Sequence, residues 1–221
     1  MRSRVDPFAF SALAGRRQPP LDRLALSIAG EFRDVDVESS LEALDRMGAE
    51  LLGRRDSTPE AELDLCRRTL AERHGFAGER DRYHDPASSM LDLVLERRRG
   101  LPILLSVVWV EVARRAGILL AGIGLPGHFV VGHFGGVPPL LVDPFAGGQR
   151  LQSEPAMALV RPWGPHETAL RMLNNLVASY RGRGDIGSAI RAAALRLELP
   201  LDERAQAAFR LELRSLESSL N

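Results

Sequence analysis

Residues 97–118, RRRGLPILLSVVWVEVARRAGI, constrain the fold more than any other stretch of the chain. Proline is tolerated at the first position of a helix, where its missing N–H would have no intrahelical partner anyway. The segment therefore predicts a helix opening at Pro102 and ending near Ala116, with Gly117 as its stop. Ile103, Leu105, Val107, Val108, Trp109, Val110, Val112 and Ala113 occupy most of its circumference. A helix apolar nearly all round belongs at the centre of a domain, so the rest of the chain must supply layers to cover it.

The period changes after this helix. ILLAGIGL, HFVVGHF and LLVDPF are short, β-rich or apolar, and separated by PG and GGVPP. They predict an antiparallel meander packed on the buried helix. Both flanks read as helix. DVESSLEALDRMGAELLG places Leu41, Leu44, Met47 and Leu51 on one stripe, with Gly53 as a stop. STPEAELDLCRRTLAERHG has Thr58 as N-cap, Pro59 at the first position and Gly75 as a stop. In YHDPASSMLDLVLERRRG, Ser89 with Asp92 resembles a capping box, and Gly100 ends the segment behind Arg97, Arg98 and Arg99. Those three cations read as complement to a helix C-terminus and as solvated surface. After residue 165 three amphipathic segments are broken at GRGD and LPLD, and the first two make a helical hairpin. The expected fold class is α+β. The expected divisions are a loose arm over 1–20, a core over 21–152 and a helical cap over 153–221.

Composition excludes several functions. With 29 basic and 29 acidic side chains, no chain-wide basic field exists for nucleic acid or an anionic membrane. Every basic residue is Arg, so a catalytic or Schiff-base lysine is impossible. Cys66 is the one cysteine, which rules out an intrachain disulfide. It falls on the apolar stripe of Leu63 and Leu70 and reads as a core thiol. The first twenty residues contain no long apolar run, and none elsewhere is long enough to span a bilayer, so a cytoplasmic location is expected.

Two residues carry chemistry. If GGVPP closes a hairpin, His128 lies opposite Asp143 or beside the opposite position, and opposed residues hold Cβ atoms roughly 4.5–5.5 Å apart. A carboxylate beside an imidazole fixes its tautomer and steadies the imidazolium, as in a catalytic triad. The structural alternative is that Asp143 caps the turn at Pro144. His133 follows His128 by an odd number of residues, so the two point to opposite faces and cannot chelate one metal. His74, His84 and His166 lie on other elements; no metal and no cofactor is expected.

RRGLPILLSVVWVEVARRAGI, GIGLPGHFVV and LLVDPFAGG together resemble the transglutaminase-like superfamily. YHDPASSMLDLVLERRRG and RMLNNLVASYRGRGD are similar to its bacterial branch once associated with invasion regulation, which joins that core to tetratricopeptide-like helices. The resemblance implies a papain-like α+β core and a tetratricopeptide-like C-terminal hairpin. It also implies a nucleophilic cysteine in a Gly-x-Cys step opening the buried helix. Gly100-Leu101-Pro102 matches that step with proline in the cysteine's place, and His128 and Asp143 match the remaining pair. A prolyl ring cannot ionise or attack. In subtilisin, removing the nucleophile alone costs on the order of 10⁶ in kcat. Ser106 lies about 40° round the helix from Pro102. It is the candidate replacement, although a helical serine usually bonds the carbonyl four residues back, here that of Pro102.

The expected cleft is lined by Gly100, Pro102, Ser106, Gly127, His128 and Asp143. Three readings follow: a non-catalytic binder of a protein, peptide or small ligand; an amide hydrolase or acyl transferase working through Ser106 with His128 and Asp143; and a scaffold acting through its C-terminal helices.

Overall fold

The computed structural model describes residues 8–52, 58–151 and 155–219. The chain runs through α1 (Phe10–Ala14), α2 (Leu21–Gly30), α3 (Val37–Leu52) and α4 (Pro59–Cys66), which widens into a π-helical turn over Arg67–Arg73. β1 (Ala77–Gly78), α5 (Leu91–Arg97) and β2 (Arg99–Gly100) lead into α6 (Pro102–Arg115). β3 (Leu120–Leu125), β4 (His128–His133), β5 (Leu140–Asp143) and β6 (Gln149–Arg150) follow. α7 (Pro165–Gly182), α8 (Ile186–Arg196) and α9 (Glu203–Ser218) come last. The fold is α+β: β3 to β6 form one antiparallel sheet in chain order, and β1 pairs with β2 in parallel.

The apolar helix occupies the centre. Trp109, Leu104, Leu105, Val108 and Val112 are fully buried, and α6 packs against α3, β3 and β4. Its first turn lacks a side-chain cap, and Pro102 sits at the first position, where no amide is needed. Strand alternation sorts the sheet into two faces. Phe129, Val131 and Val142 join the core around α6. Ile123, Leu125 and Val130 form a second apolar cluster with Leu141, Leu151 and Val160 on the far face. The β3–β4 hairpin closes through Pro126 and Gly127; Gly127 has φ +71°, the left-handed conformation such a turn demands of its second central residue.

Several local expectations need correction. The arm over 1–20 is ordered from α1 onward: Phe10, Leu13 and Ala14 are buried, and His166 bonds the Ala14 carbonyl at 3.0 Å. Residues 1–7 and the expected stop at Gly53 lie outside the described residues, as does the 152/153 boundary. Ser89 and Asp92 do not form a capping box. Asp85 instead caps a 3₁₀ turn over Pro86–Ser89, which moves the helix start to Leu91, and Asp92 pairs with Arg33. Gly100 does not end α5. Arg98 takes the left-handed conformation there (φ 58°), held by bonds to the His74 carbonyl and ring and by stacking on Phe76. The helical cap shares its core with the rest of the chain, since Met172, Leu173, Leu176, Ala192 and Ala193 belong to the same cluster as α6. Among the described residues no helix is long and apolar enough to cross a membrane.

Candidate functional site

β4 opens at His128 directly after the tight turn, and β5 ends at Asp143 directly before Pro144. The register sets Val131 opposite Val142, so Asp143 lies diagonal to His128 on the same face of the sheet. The side chains close the diagonal: His128 Nε2 lies 2.8 Å from Asp143 Oδ2. The second carboxylate oxygen, Oδ1, accepts the Phe145 amide at 2.9 Å. One carboxylate oxygen of Asp143 thus caps the turn, and the other meets the imidazole. His128 Nδ1 makes no bond among the described residues, and a third of the side chain is exposed at 34%.

The rest of the expected cleft is distributed elsewhere. The cavity at the pair has a volume of about 430 Å³, and its walls are Leu125, Pro126, Ala146, Gln149, Arg150 and Leu151. Gly100, Pro102, Ser106 and Gly127 do not line it. The reason is the alternation: α6 packs on the face bearing Phe129 and Val131, and the His–Asp pair sits on the other. Pro102 is buried, and so is Gly100, where a Cβ would fall 2.6 Å from a Val94 methyl. Gly100 serves helix packing and Gly127 the turn. Ser106 is fully buried, and its hydroxyl donates to the Pro102 carbonyl at 2.8 Å. It borders a different cavity of about 650 Å³, together with Glu111, Phe129 and Trp163. Cys66 is also fully buried; desolvation, then the nearby Glu62 charge, push its thiol up to about 12.

Sequence reasoning missed two features. His133, on the α6 side of β4, pairs with Glu62 at 2.7 Å, both of them buried. Nothing local marks two residues 71 apart as partners. Arg171 of α7 donates to the Leu125 carbonyl at 3.0 Å and lies over the Phe129 and Trp163 rings. Among the described residues no group of three or more His, Cys, Asp or Glu side chains is placed to hold a metal ion.

A buried helix entered through Gly-x-Pro, covered by an antiparallel sheet whose adjacent strands bring His and Asp together, is a transglutaminase-type frame. The chain belongs to the transglutaminase-like superfamily, whose family profile matches residues 38–179. It is 35% identical over 206 residues to a UPF0162 protein of Xylella fastidiosa, covering 81% of this chain and 72% of the relative. A UPF0162 protein of Pseudomonas aeruginosa is 32% identical over 201 residues, covering 82% and 72%. F-box only protein 21 of Mus musculus is 29% identical over 142 residues, covering 55% of this chain and 22% of the relative. No solved structure matches.

Proposed function

We propose that this chain is a binding member of its family, in which the imidazole–carboxylate pair holds a ligand and no covalent intermediate forms. The observation that carries the reading is the make-up of the cavity at His128 and Asp143, whose walls include no Ser, Thr, Cys or Tyr side chain among the described residues. Three further facts support it. Pro102 opens α6 at the position that the family resemblance gives to the nucleophile. Ser106 is committed to a backbone carbonyl and borders a different cavity. Cys66 lies in the core with its thiol protonated at neutral pH. Nucleophile and base must come within about 3 Å to react, and neither group is presented to His128. The expected partner is a protein, a peptide or a small ligand. A chain with a single buried cysteine relies on no disulfide, which suits a cytoplasmic setting.

Intact-mass measurement after exposure to serine-directed fluorophosphonate and thiol-directed iodoacetamide tests this. The native protein should gain no adduct, and Cys66 should alkylate only once denaturant unfolds the chain. An adduct on native protein that disappears in His128→Ala would establish the competing hydrolase or acyl-transferase reading. The scaffold reading has one observation of its own: α9 buries only Leu216 and leaves Leu211 70% exposed.

A further inference from the structure

We propose that the cavity between the second half of α6 and the outer edge of β3 binds an extended peptide, which adds to the sheet as a strand and places an apolar side chain in the space walled by Phe129, Trp163 and α6. This goes beyond the reading above, because the site lies on the α6 face of the sheet and the His128–Asp143 pair lies on the other.

The edge carries the inference. β3 is an outer strand of the four-stranded sheet. Leu125 pairs with His128 across the two-residue turn, and the Phe134 amide donates to the Leu119 carbonyl. In an antiparallel pair this directs the amides and carbonyls of Leu119, Ala121, Ile123 and Leu125 toward β4, and those of Leu120, Gly122 and Gly124 outward. The Trp163 amide reaches the Gly122 carbonyl at 2.9 Å from that outer side. The Leu120 amide turns back to the Ile118 carbonyl. The Leu120 carbonyl and the Gly122 amide are left, flanking Ala121, with no partner among the described residues. One acceptor and one donor at that spacing are what a further strand pairs with. Such edge groups are ordinarily covered or guarded by charge. Here Leu120, Ala121 and Gly122 open onto a cavity of about 650 Å³.

The make-up of the cavity names the side chain. Glycine at 122 and 124 lets the Phe129 and Trp163 rings lie against the strand backbone, since a Cβ at Gly122 would collide with the first ring and one at Gly124 with the second. The two rings meet edge to face, 5.5 Å apart. Val107 and Val110 of α6 add apolar walls. An aromatic side chain gains there both by burial and by ring contact. The acids of the wall, Asp22, Asp45 and Glu111, are matched by Arg114 and Arg115, so none is left to select a cationic residue. A free small molecule would use the apolar walls alone, whereas a peptide also satisfies the two edge groups.

The test is an NMR titration of the full chain, following backbone amides and the ring signals of Trp163 and His128. The probe is the capped pentapeptide acetyl-Ser-Thr-Phe-Thr-Ser-amide. One control is the same peptide N-methylated at its three central amides, which keeps the side chain and removes the donors a strand would use. A second has Gly in place of Phe, and p-cresol stands for a free aromatic ligand. The parent peptide should give saturable shifts at the Gly122 amide and the Trp163 indole and leave His128 unmoved. N-methylation should weaken binding about tenfold, the loss of one hydrogen bond at a half-buried acceptor. Loss of the ring should weaken it by about tenfold or more. Equal binding of the methylated or the Gly peptide overturns the proposal, as does p-cresol saturating with the affinity of the pentapeptide. Gly122 shifts that depend on protein concentration alone overturn it by assigning the edge to a second copy. Saturation at His128 with Gly122 silent also overturns it and leaves the binding reading above standing. A covalent adduct in the labelling experiment with normal saturation at Gly122 would remove that reading and leave the peptide site in place.

Discussion

The Gly135 amide donates to Nδ1 of His133 at 3.0 Å, so the ring proton sits on Nε2 and is donated to Glu62. The imidazole is thus bonded at both nitrogens inside the core, and it holds the tip of the β4–β5 hairpin against α4. Removing one partner of a buried hydrogen-bonded pair strands the other, which costs more than the pair contributes. His133→Ala should lower the unfolding free energy by about 3 kcal/mol, read as a smaller urea midpoint at unchanged slope. His133→Gln, which keeps a donor, should lose less. A His133→Ala midpoint equal to wild type would show that the pair contributes nothing. The contrast with His128 explains what a sequence reveals at this scale. His128 and Asp143 flank one short hairpin, so counting residues from a recognisable turn brings them together. The Ser106 bond to Pro102 follows from helix spacing alone. The His133–Glu62 pair and the Arg171–Leu125 bond depend on how distant elements dock, and neither pattern nor period carries that information.

At the C-terminal end of α6, Glu111 and Arg115 meet Asp22 of α2 and Asp45 of α3. Both Asp22 and Glu111 are buried, yet they move in opposite directions. Burial alone would raise Asp22, but the Arg115 guanidinium and the Arg23 amide outweigh it, and the carboxyl sits below its ordinary 3.8. Burial, reinforced by the Asp22 charge, lifts Glu111 above its ordinary 4.5 despite Arg114 and Arg115. Asp22 therefore stabilises the fold above pH 3.8 and loses that contribution as pH falls through its lowered value. The stabilisation from protonated Glu111 is complete below pH 4.5 and disappears as pH rises through its raised value. Melting temperatures from acid to neutral pH should show Asp22→Asn below wild type at neutral pH, with the gap closing in acid. Glu111→Gln should improve relative to wild type as pH rises. Parallel profiles for the two variants would remove the assignment. The helices and strands involved were legible because their apolar periods are clear and Pro102, Pro59 and Thr58 mark starts by a local rule. The failure at Ser89 came from the same kind of rule: Asp85 offered a competing cap a few residues earlier, and the 3₁₀ turn it nucleates displaced the helix start.

For the whole molecule, the question is whether the C-terminal helices are an annex or part of the fold. α7 and α8 form a hairpin, but α7 also lies against α2 and the 3₁₀ turn at Pro86–Ser89, and its Met172, Leu173, Leu176 and Val177 sit in the central core. Burying four such side chains stabilises a domain by about 6–12 kcal/mol at about 1.5–3 kcal/mol each, comparable to the whole stability of a typical domain. α9 differs. It buries Leu216 and packs along α8, where Arg196 stacks on Phe209 and bonds Glu212. Its removal returns the Arg196 guanidinium to water instead of leaving it stranded. A chain ending at Leu201 should therefore fold cooperatively, with a melting temperature lower by several degrees, since about 1 kcal/mol corresponds to about 2–4 °C at this size. A chain ending at Gly164 should show no cooperative transition. The two truncations separate the alternatives. If the shorter chain melts cooperatively, the helical hairpin is an independent appendage and the scaffold reading gains a detachable module. If the longer chain also fails to fold, α9 holds the hairpin in place, and the exposed face around Leu211 is the outer surface of a required layer.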